Sequence, residues 1–267
     1  MKSDDVLIVI PARWKSTRLP GKPLKKIAGK TMLRRVYDRC QETALEVMVA
    51  TDDDRIAKHC EEENMDYIMT SEGCLTGTDR VAELSDRLNY AGYINVQSDE
   101  PFVLPEDILA IEKEMWMGDH REVLCGMCQI DNLDHYYSPH VPKVVFDEDR
   151  GEHSGKLRYI SRAPIPAVKE GYPPPKDDMW KQVCIYGFRS HHLKEFTDTY
   201  NTQSLDNPNK TRLEFIEDIE LLRFVEKDIP VRMIKLKGSA MSVDTENDLE
   251  IANALWERMD EEEYCCE

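Results

Sequence analysis

The sequence predicts an α/β protein with a mixed, mainly parallel sheet that is flanked by helices and carries an antiparallel strand insertion. In the first half of the chain, apolar runs of strand length alternate with segments of helical periodicity, and the loops between them are short. Such alternation is typical of a parallel sheet covered on both faces. The second half contains consecutive strand-like runs, which indicates antiparallel pairing. The 267 residues suffice for one large domain with a sizeable core.

The first half supplies the parallel part of the sheet. We expect strands at residues 5–11, 46–51, 66–69 and 92–97, and helices at about 31–43, 53–63 and 77–89. Oxygen-bearing side chains at two helix starts support these assignments, because they can cap free backbone N–H groups. Asp52, Asp53 and Asp54 open the second helix, and Thr78 with Asp79 opens the third.

The carboxyl ends of these strands should form one ligand-binding rim. In open α/β sheets, ligands bind in the crevice outside the carboxyl ends of the strands. The loops that begin at Pro11, Thr51, Thr70 and Gln97 leave the predicted strands at those ends. We therefore expect functional residues on these four loops.

The second half changes from alternation to consecutive strands. We expect strands at 122–130, 143–147, 156–161 and 182–189 without helices between them, then a helix at 212–226, a strand at 230–235 and a helix at 246–260. The whole chain, 1–267, is interpreted as a single domain. Its parts are a first half at 1–121, an antiparallel insertion at 122–189 that resembles a lid or a dimer arm, and helices with an acidic tail at 190–267.

Composition restricts the partners and the location. The net charge of −17 argues against nucleic acid as the main partner. The longest apolar runs have only strand length, so membrane insertion is not expected, and no signal-peptide pattern is seen, which predicts a cytoplasmic protein. The eight cysteines are expected to be reduced thiols. Cys125 and Cys128 lie in a predicted strand, which favours buried thiols over a redox or zinc site, and no role is expected for Cys265 and Cys266.

A strongly basic segment interrupts this acidic background. Residues 11–24, here called the cationic loop, directly follow the first apolar strand. From Arg13 to Arg39 there are ten Lys or Arg and one acid, so the rest of the chain carries −26. A bound polyanion explains such an island most simply, and at the carboxyl end of a first strand the expected polyanion is a nucleoside triphosphate.

The cationic loop offers donors for phosphate without matching a standard phosphate motif. Arg13, Arg18 and Lys22 can donate to phosphate oxygens, and Gly21 allows close backbone approach. Neither the P-loop spacing nor the dinucleotide-binding glycine pattern is present. The alternative is a solvated basic helix start, and it stays open for the lysines that follow the loop: Lys25, Lys26 and Lys30.

Two acids are candidates for a divalent cation. Asp99 follows the predicted strand at 92–97, on the rim that carries the cationic loop, and Mg²⁺ needs only one or two carboxylates besides phosphate and water. Glu100 is the alternative acid, or a surface charge. Asp244 is the second candidate: Thr245 can cap the last helix with Asp248 as its capping-box acid, which leaves Asp244 free. A capping role for Asp244 itself remains open.

A third element of the rim starts the helix at 77–89. It reads Thr-Gly-Thr-Asp-Arg-Val-Ala-Glu at residues 76–83. Its backbone N–H groups can bind a base edge or a phosphate. A plain helix cap is the alternative.

In this order the segments resemble the CMP-Kdo synthetases, or 3-deoxy-manno-octulosonate cytidylyltransferases. The matching segments are IPARWKSTRLPGKPL (10–24), VATDD (49–53), TGTDRVAE (76–83), NVQSDEP (95–101), YISRAPIP (159–166), IYGF (185–188), LEFIEDIELLR (213–223) and VDTENDLE (243–250). The resemblance implies a Rossmann-like nucleotidyltransferase fold, usually dimeric. It also implies the activation of an acidic eight-carbon sugar with CTP, for lipopolysaccharide or surface-glycan synthesis, with release of diphosphate.

The resemblance also implies roles for individual residues. Mg²⁺ would be held by Asp99 and Asp244, and these acids with Lys22 and Arg13 would be the catalytic residues. The nucleotide-binding residues would be Pro11, Ala12, Arg13, Ser16, Arg18, Lys22, Thr51, Gly77, Arg80 and Gln97. The sugar-binding residues would be Arg162, which would meet the sugar carboxylate, with Gln182, Tyr186 and Glu217. An exposed helix acid is the alternative for Glu217.

Three positions depart from the family pattern. Ser98 replaces the usual Gly before the metal Asp, Gln182 replaces a His, and Leu221 replaces a Gln. The last two changes fall on the sugar side, which predicts a substrate related to Kdo that carries a modification such as an 8-amino group. A cytidylyltransferase for a nonulosonate and a non-catalytic nucleotide-sugar sensor remain as alternatives.

Overall fold

The fold was analysed in a computed structural model that describes residues 5–148, 151, 153–198, 210–238 and 241–264, with side chains up to Met259. Cys265 and Cys266 lie outside these residues. The strands are β1 (Val6–Ala12), β2 (Lys26–Ile27), β3 (Lys30–Thr31), β4 (Glu46–Thr51), β5 (Tyr67–Met69), β6 (Gly92–Val96), β7 (Val123–Gln129), β8 (Lys143–Asp147), β9 (Ser154–Ser161), β10 (Trp180–Phe188) and β11 (Val231–Lys235). The helices are α1 (Met32–Gln41), α2 (Asp54–Glu62), α3 (Gly77–Arg87), α4 (Pro105–Met117), α5 (Leu133–Tyr137), α6 (Ser190–Thr197), α7 (Arg212–Glu217), α8 (Leu222–Glu226) and α9 (Glu246–Tyr264).

The parallel half of the sheet forms as predicted. Strand β1 pairs in parallel with β4 and with β6, and β4 pairs in parallel with β5. Helices α1, α2 and α3 connect these strands in the expected order. The carboxyl ends of the strands therefore meet at one edge, where the predicted rim lies.

Strand β1 is buried on both faces, as its apolar run predicts. Ile8 and Ile10 point into one hydrophobic cluster of the core, and Leu7 and Val9 point into the other. Each such side chain contributes about 1.5–3 kcal/mol when it leaves water. The strand that leads into the cationic loop is thus firmly held.

The capping predictions are partly confirmed. The side chain of Asp53 caps α2 by accepting from the backbone N–H of Arg55. For α3 the predicted start at residue 77 is confirmed, but the predicted cap Thr78 is wrong: Thr76 is the capping residue, and Asp79 completes a reciprocal capping box with it. Thr76 is the cap because only a cap at this position places Asp79 at the third helical residue, where its carboxylate can accept from the backbone N–H of the cap.

The second half of the chain completes the same sheet. Nine of the eleven described strands form one sheet in the order β5-β4-β1-β6-β10-β7-β11-β9-β8, and β2 and β3 pair separately as a two-stranded sheet. Strand β10 runs antiparallel to both β6 and β7, and β7 is parallel to β11. The segment 122–189 supplies the antiparallel strands: β7 and β10 lie in the middle of the sheet, and the β8–β9 hairpin lies at one edge.

Several helices differ from the sequence expectations. Helix α4 was not predicted, although Pro105 at its first turn followed by two acids is a start signal. Helix α6 was not predicted either, and α5 interrupts the stretch that we expected to contain only strands. The helix predicted at 212–226 is two helices, because Asp218 adopts the left-handed conformation with φ 51° and ends α7. The last helix is confirmed as α9.

A small third cluster links the cationic loop to the C-terminal helix. Leu19 and Ile27 pack there with Val243 and Trp256, and all four are buried. This contact brings residues from the two ends of the chain to the same rim. No helix in the described part of the chain combines the length and the apolar character that crossing a membrane requires.

Candidate active site

The cationic loop turns back over the carboxyl end of β1. Gly21 adopts φ 67°, and its backbone N–H donates to the carbonyl of Trp14 at 3.3 Å. A Cβ atom at Gly21 would lie 2.9 Å from the Trp14 ring, so this position needs glycine for space as well as for backbone conformation. The next residue, Lys22, opens a short 3₁₀ turn at Lys22–Leu24.

Lys22 joins two acids that are far apart in sequence. Its Nζ donates to Asp99 Oδ2 at 2.5 Å and to Asp244 Oδ1 at 3.0 Å, across 77 and 222 positions of sequence. The Arg18 guanidinium lies 3.1 Å from the same Asp244 oxygen. The side chains of Lys22 and Asp99 are 13% and 15% exposed, so this cluster is largely shielded from water. The predicted convergence of both acids beside the cationic loop is what the structure shows.

Charge pairing governs the protonation of this cluster. Burial alone would lower the pKa of Lys22, but Asp99 and Asp244 raise it above its ordinary value. Burial alone would raise the pKa of Asp244, but Lys22, Arg18 and His140 lower it. The ammonium and the Asp244 carboxylate therefore stay charged at neutral pH.

The backbone around both acids fixes their positions. The N–H of Val243 donates to the carbonyl of Asp99 at 2.9 Å, which ties the two segments together. Thr245 and Asp248 form the predicted capping box: the Asp248 N–H donates to Thr245 Oγ1, and Asp248 Oδ2 accepts from the Thr245 N–H. The Asp244 N–H also donates to Asp248 Oδ2, at 3.1 Å, but the Asp244 side chain takes no part in the cap and is available to the site.

The neighbour of Asp99 is not a surface charge. Glu100 is 3% exposed. Burial, and then the charge of Asp99, raise the pKa of Glu100 to about 8. The protonated form of this carboxyl is therefore favoured at neutral pH as long as no further cation lies beside it.

The pair of acids fits a magnesium ion. Asp99 Oδ1 is buried and has no hydrogen-bond partner. The carboxylates of Asp99 and Asp244 already bind the same positive group, the Lys22 ammonium. The described residues contain no cluster of three or more metal-ligating side chains. A site of two carboxylates suits Mg²⁺, which takes its other ligands from phosphate and water.

The remaining basic residues of the loop are placed differently. Arg13 is exposed, and its charge helps to lower the pKa of Asp218. Ser16 Oγ accepts from the Leu19 N–H at 3.3 Å and shapes the loop. Pro11 and Ala12 are buried at the end of β1.

The other predicted nucleotide residues lie on the neighbouring strand ends. Thr51 is fully buried, and its Oγ1 accepts from the Asp53 N–H. A Cβ at Gly77 would lie 3.1 Å from Pro11, so α3 starts tightly against β1. The side chain of Arg80 is 3% exposed, and its guanidinium pairs with Asp52 at 2.8 Å. This ion pair ties α3 to the loop that follows β4.

A polar cluster connects the two halves of the site. Gln97 Nε2 lies 3.5 Å from the Tyr186 hydroxyl and 3.3 Å from Glu220 Oε1. Gln182 Nε2 also reaches the Tyr186 hydroxyl, at 3.1 Å. Glu220 Oε2 accepts from the Thr78 N–H at 3.3 Å. Gln97 thus joins the nucleotide side to two of the predicted sugar residues.

Sequence reasoning missed Glu220. Burial raises its pKa, although hydrogen bonds from Thr78 and Thr76 oppose the rise. Its signal was present in the segment 213–223, where it is the third glutamate. Helical spacing could not single it out, because the chain bends at Asp218 between Glu217 and Glu220.

The other two predicted sugar residues bind each other. Glu217 accepts from Ser161 Oγ at 2.6 Å and from the Arg162 N–H at 2.9 Å. The Arg162 guanidinium donates to the carbonyls of Glu217, Pro139 and Asp218 at 2.6, 3.0 and 2.9 Å. In this arrangement the Arg162 guanidinium donates to main-chain carbonyls, and it ties the end of β9 to the end of α7.

Two departures from the family pattern have little effect on the site. Ser98 does not adopt a positive φ, so the serine introduces no backbone strain. Leu221 is fully buried in the hydrophobic core and offers no group to the pocket. Gln182 is the change that reaches the site. Cys125 and Cys128 are buried and form no disulfide within the described residues, as predicted.

Known proteins resemble this chain over almost its whole length. Residues 7–234 match a family model described as cytidylyltransferase. The 3-deoxy-manno-octulosonate cytidylyltransferase of Myxococcus xanthus is 38% identical over 259 residues, which cover 96% of this chain and 98% of that protein. The corresponding protein of Geobacter sulfurreducens is 36% identical, with 92% and 97% covered.

Solved structures agree with the sequence relatives. A CMP:2-keto-3-deoxy-manno-octonic acid synthetase complexed with CTP superimposes with a TM-score of 0.81 at 32% identity, and covers 96% of this chain and 100% of that one. A UDP-glucose pyrophosphorylase superimposes with a TM-score of 0.64 at 11% identity, over 96% and 99% of the two chains, which is a likeness of fold alone.

Proposed function

The chain belongs to the 3-deoxy-manno-octulosonate cytidylyltransferase family, and from this premise we propose that it transfers the cytidylyl group of CTP to a 3-deoxy-octulosonic acid. The chain is a nucleotidyltransferase. The observation that carries the proposal is the convergence of Asp99 and Asp244 on Lys22 beside the cationic loop.

The reaction is a displacement at the α-phosphorus of CTP. The anomeric hydroxyl oxygen of the sugar forms a new bond to phosphorus, the bond to the bridging oxygen breaks, and the hydroxyl proton passes to solvent. Negative charge grows on the bridging oxygen and then leaves with diphosphate. Catalysis of this kind depends mainly on positioning and on electrostatic stabilisation.

The residues of this chain supply both effects. Lys22, Arg18 and Arg13 place positive charge beside the triphosphate, where it stabilises the departing diphosphate. The tight start of α3 at Gly77 and the buried end of β1 form the rigid floor for the nucleotide. Tyr186 and Gln182 orient the sugar, together with Gln97 and Glu220.

Asp99 and Asp244 are the residues that would hold Mg²⁺. When bound there, Mg²⁺ would lower the pKa of an attacking hydroxyl and neutralise charge on the α-phosphate. Asp99 Oδ1 supports this assignment, because it is a buried carboxylate oxygen without a partner.

We assign the second substrate as an acidic eight-carbon sugar, Kdo or a derivative such as an 8-amino form. The Glu220 carboxyl lies beside Gln97, the Glu217 carboxyl lies beside Ser161 and Arg162, and Gln182 stands where the resemblance implies a histidine. An ammonium substituent would be favoured near such acids. The product would serve lipopolysaccharide or surface-glycan synthesis in the cytoplasm, and the active form would be a homodimer.

Diphosphate release from CTP tests the proposal. The purified chain is assayed with Kdo, its 8-amino derivative and a sialic-acid-like nonulosonate, with and without Mg²⁺, and with UTP as the control nucleotide. Turnover that requires CTP, Mg²⁺ and an octulosonate is the expected result. Preference for plain Kdo would reject the amino form, and preference for the nonulosonate would reject the octulosonate. Nucleotide binding without any release would indicate a sensor.

A further inference from the structure

One buried lysine stands apart from the residues assigned so far. Lys143 lies at the start of β8 and is fully buried. Its Nζ donates to the main-chain carbonyls of Ser138, Val141 and Arg162 at 2.7, 2.7 and 2.5 Å. All three N–H bonds of the ammonium are therefore used on backbone oxygens.

The surroundings disfavour this charge. Burial and the nearby Arg162 guanidinium lower the pKa of Lys143 to about 8, whereas Glu217 raises it. An apolar side chain would avoid this desolvation cost, but it would leave several carbonyls without a donor. A lysine suits this position because its ammonium can donate hydrogen bonds to several main-chain carbonyls at once.

Together, Lys143 and Arg162 donate hydrogen bonds to six main-chain carbonyls from three segments. Lys143 holds Ser138, Val141 and Arg162, while the Arg162 guanidinium holds Pro139, Glu217 and Asp218. Converging carbonyl dipoles repel one another unless a cation lies between them. The loop at 138–142, the end of β9 and the end of α7 therefore depend on these two side chains for their relative placement.

These three segments border the sugar side of the site. The Gln182 N–H donates to the Pro142 carbonyl at 3.1 Å, so the loop at 138–142 backs the strand that carries Gln182 and Tyr186. The same cluster fixes Glu217 against Ser161. Among the described residues, the Lys143 ammonium donates to the loop at 138–142 and to Arg162, and no hydrogen bond joins it to β1, α3 or the cationic loop.

We propose that Lys143 is a positioning residue for the sugar substrate: it holds the loop at 138–142 and the Arg162 main chain, and thereby keeps Gln182, Tyr186 and Glu217 in place on the sugar side of the site. The inference rests on the proposed function for the identity of the substrate. It predicts that loss of the ammonium damages sugar binding and leaves CTP binding intact.

Two substitutions separate this role from general stability. Lys143→Met keeps the length of the side chain and removes every donor, whereas Lys143→Gln keeps two N–H donors. Lys156→Met on the neighbouring strand β9 is the matched control. KM is measured for the sugar at saturating CTP and for CTP at saturating sugar, by diphosphate release.

The expected result is a split between the two substrates. Lys143→Met should raise the sugar KM at least tenfold and change the CTP KM by less than twofold. Lys143→Gln should recover part of the loss, and Lys156→Met should resemble the wild type. Equal rises in both KM values, or an unchanged sugar KM in folded Lys143→Met, would overturn the inference. If the methionine variant does not fold, Lys143→Gln decides by the same criteria.

Hydrogen exchange provides a readout that needs no turnover. In the free Lys143 variants, the amides of His140 and Val141 should exchange faster than in the wild type, with no change in α2. Unchanged exchange in the loop would overturn the inference even if the enzyme is active. A wild type that releases diphosphate with no sugar would reject the proposed function, and the exchange result would still decide the role of Lys143.

Discussion

Replacing Lys22 by methionine should make the nucleotide-free protein bind divalent cations more tightly. The ammonium lies 2.5 Å from Asp99 and 3.0 Å from Asp244, so it occupies the carboxylate pair that would hold Mg²⁺. Arg18 adds a second positive charge at 3.1 Å from Asp244. A metal ion entering this site must displace or tolerate both cations.

The size of the effect follows from the charges. A unit charge and a dication about 4 Å apart repel each other by about 2 kcal/mol even at the dielectric constant of water. Removal of that repulsion corresponds to about thirtyfold in the dissociation constant. Because the Lys22 and Asp99 side chains are only 13% and 15% exposed, the real gain should be no smaller.

Binding of Mn²⁺ to the nucleotide-free protein is the assay, followed by the paramagnetic resonance signal of free Mn²⁺. Lys25→Met is the control, because Lys25 pairs with Glu246 on the surface. Lys22→Met should bind Mn²⁺ at least about thirtyfold more tightly than the wild type, and Lys25→Met should not differ from it. Equal or weaker binding by folded Lys22→Met would refute the idea that Lys22 competes with the metal.

The same variant should be less stable without metal. Removal of one partner from a buried ion pair costs about 3–5 kcal/mol, and partial exposure brings this to about 2–4 kcal/mol. Millimolar Mn²⁺ should restore much of the free energy of unfolding, because it binds only the folded state. Under the proposed function CTP turnover should fall strongly, because Lys22 would also place positive charge beside the leaving diphosphate.

Two further predictions concern other parts of the chain. Burial, and then His191, lower the pKa of His192 from 6.5 to about 4, so the folded state binds fewer protons than the unfolded state between these values. The free energy of unfolding should therefore drop by up to about 3 kcal/mol as the pH falls from 6.5 to 4. Urea denaturation at several pH values should show a smaller drop for His192→Asn than for the wild type. If the free energy of unfolding falls equally with pH in both proteins, the prediction is wrong. The guanidinium carbon of Arg55 lies 3.7 Å from the centre of the Trp14 ring in the cationic loop. Arg55→Gln should therefore raise the CTP KM about two- to fivefold, whereas the control Lys58→Gln on the same helix should leave it unchanged. A CTP KM of Arg55→Gln equal to that of the wild type would exclude a role for this stacking contact.

The sequence by itself determined the parallel half of the sheet and the identity of the central charges. The apolar run at β1 and the capping acid Asp53 act through local chemistry, so their structural effect can be predicted without coordinates. The carboxyl-end rule then placed Lys22 and Asp99 on one rim. Asp244 was identified because Thr245 and Asp248 complete a cap without it.

Only the tertiary structure decided how those charges meet and what the pocket contains. No local pattern encodes that β7 and β10 enter the middle of the sheet, because strand order depends on long-range pairing. Glu220 joins the site because the chain reverses at Asp218, and Lys143 matters because three distant segments place their carbonyls around it. Such roles depend on which distant segments are buried together, and local sequence patterns do not reveal this.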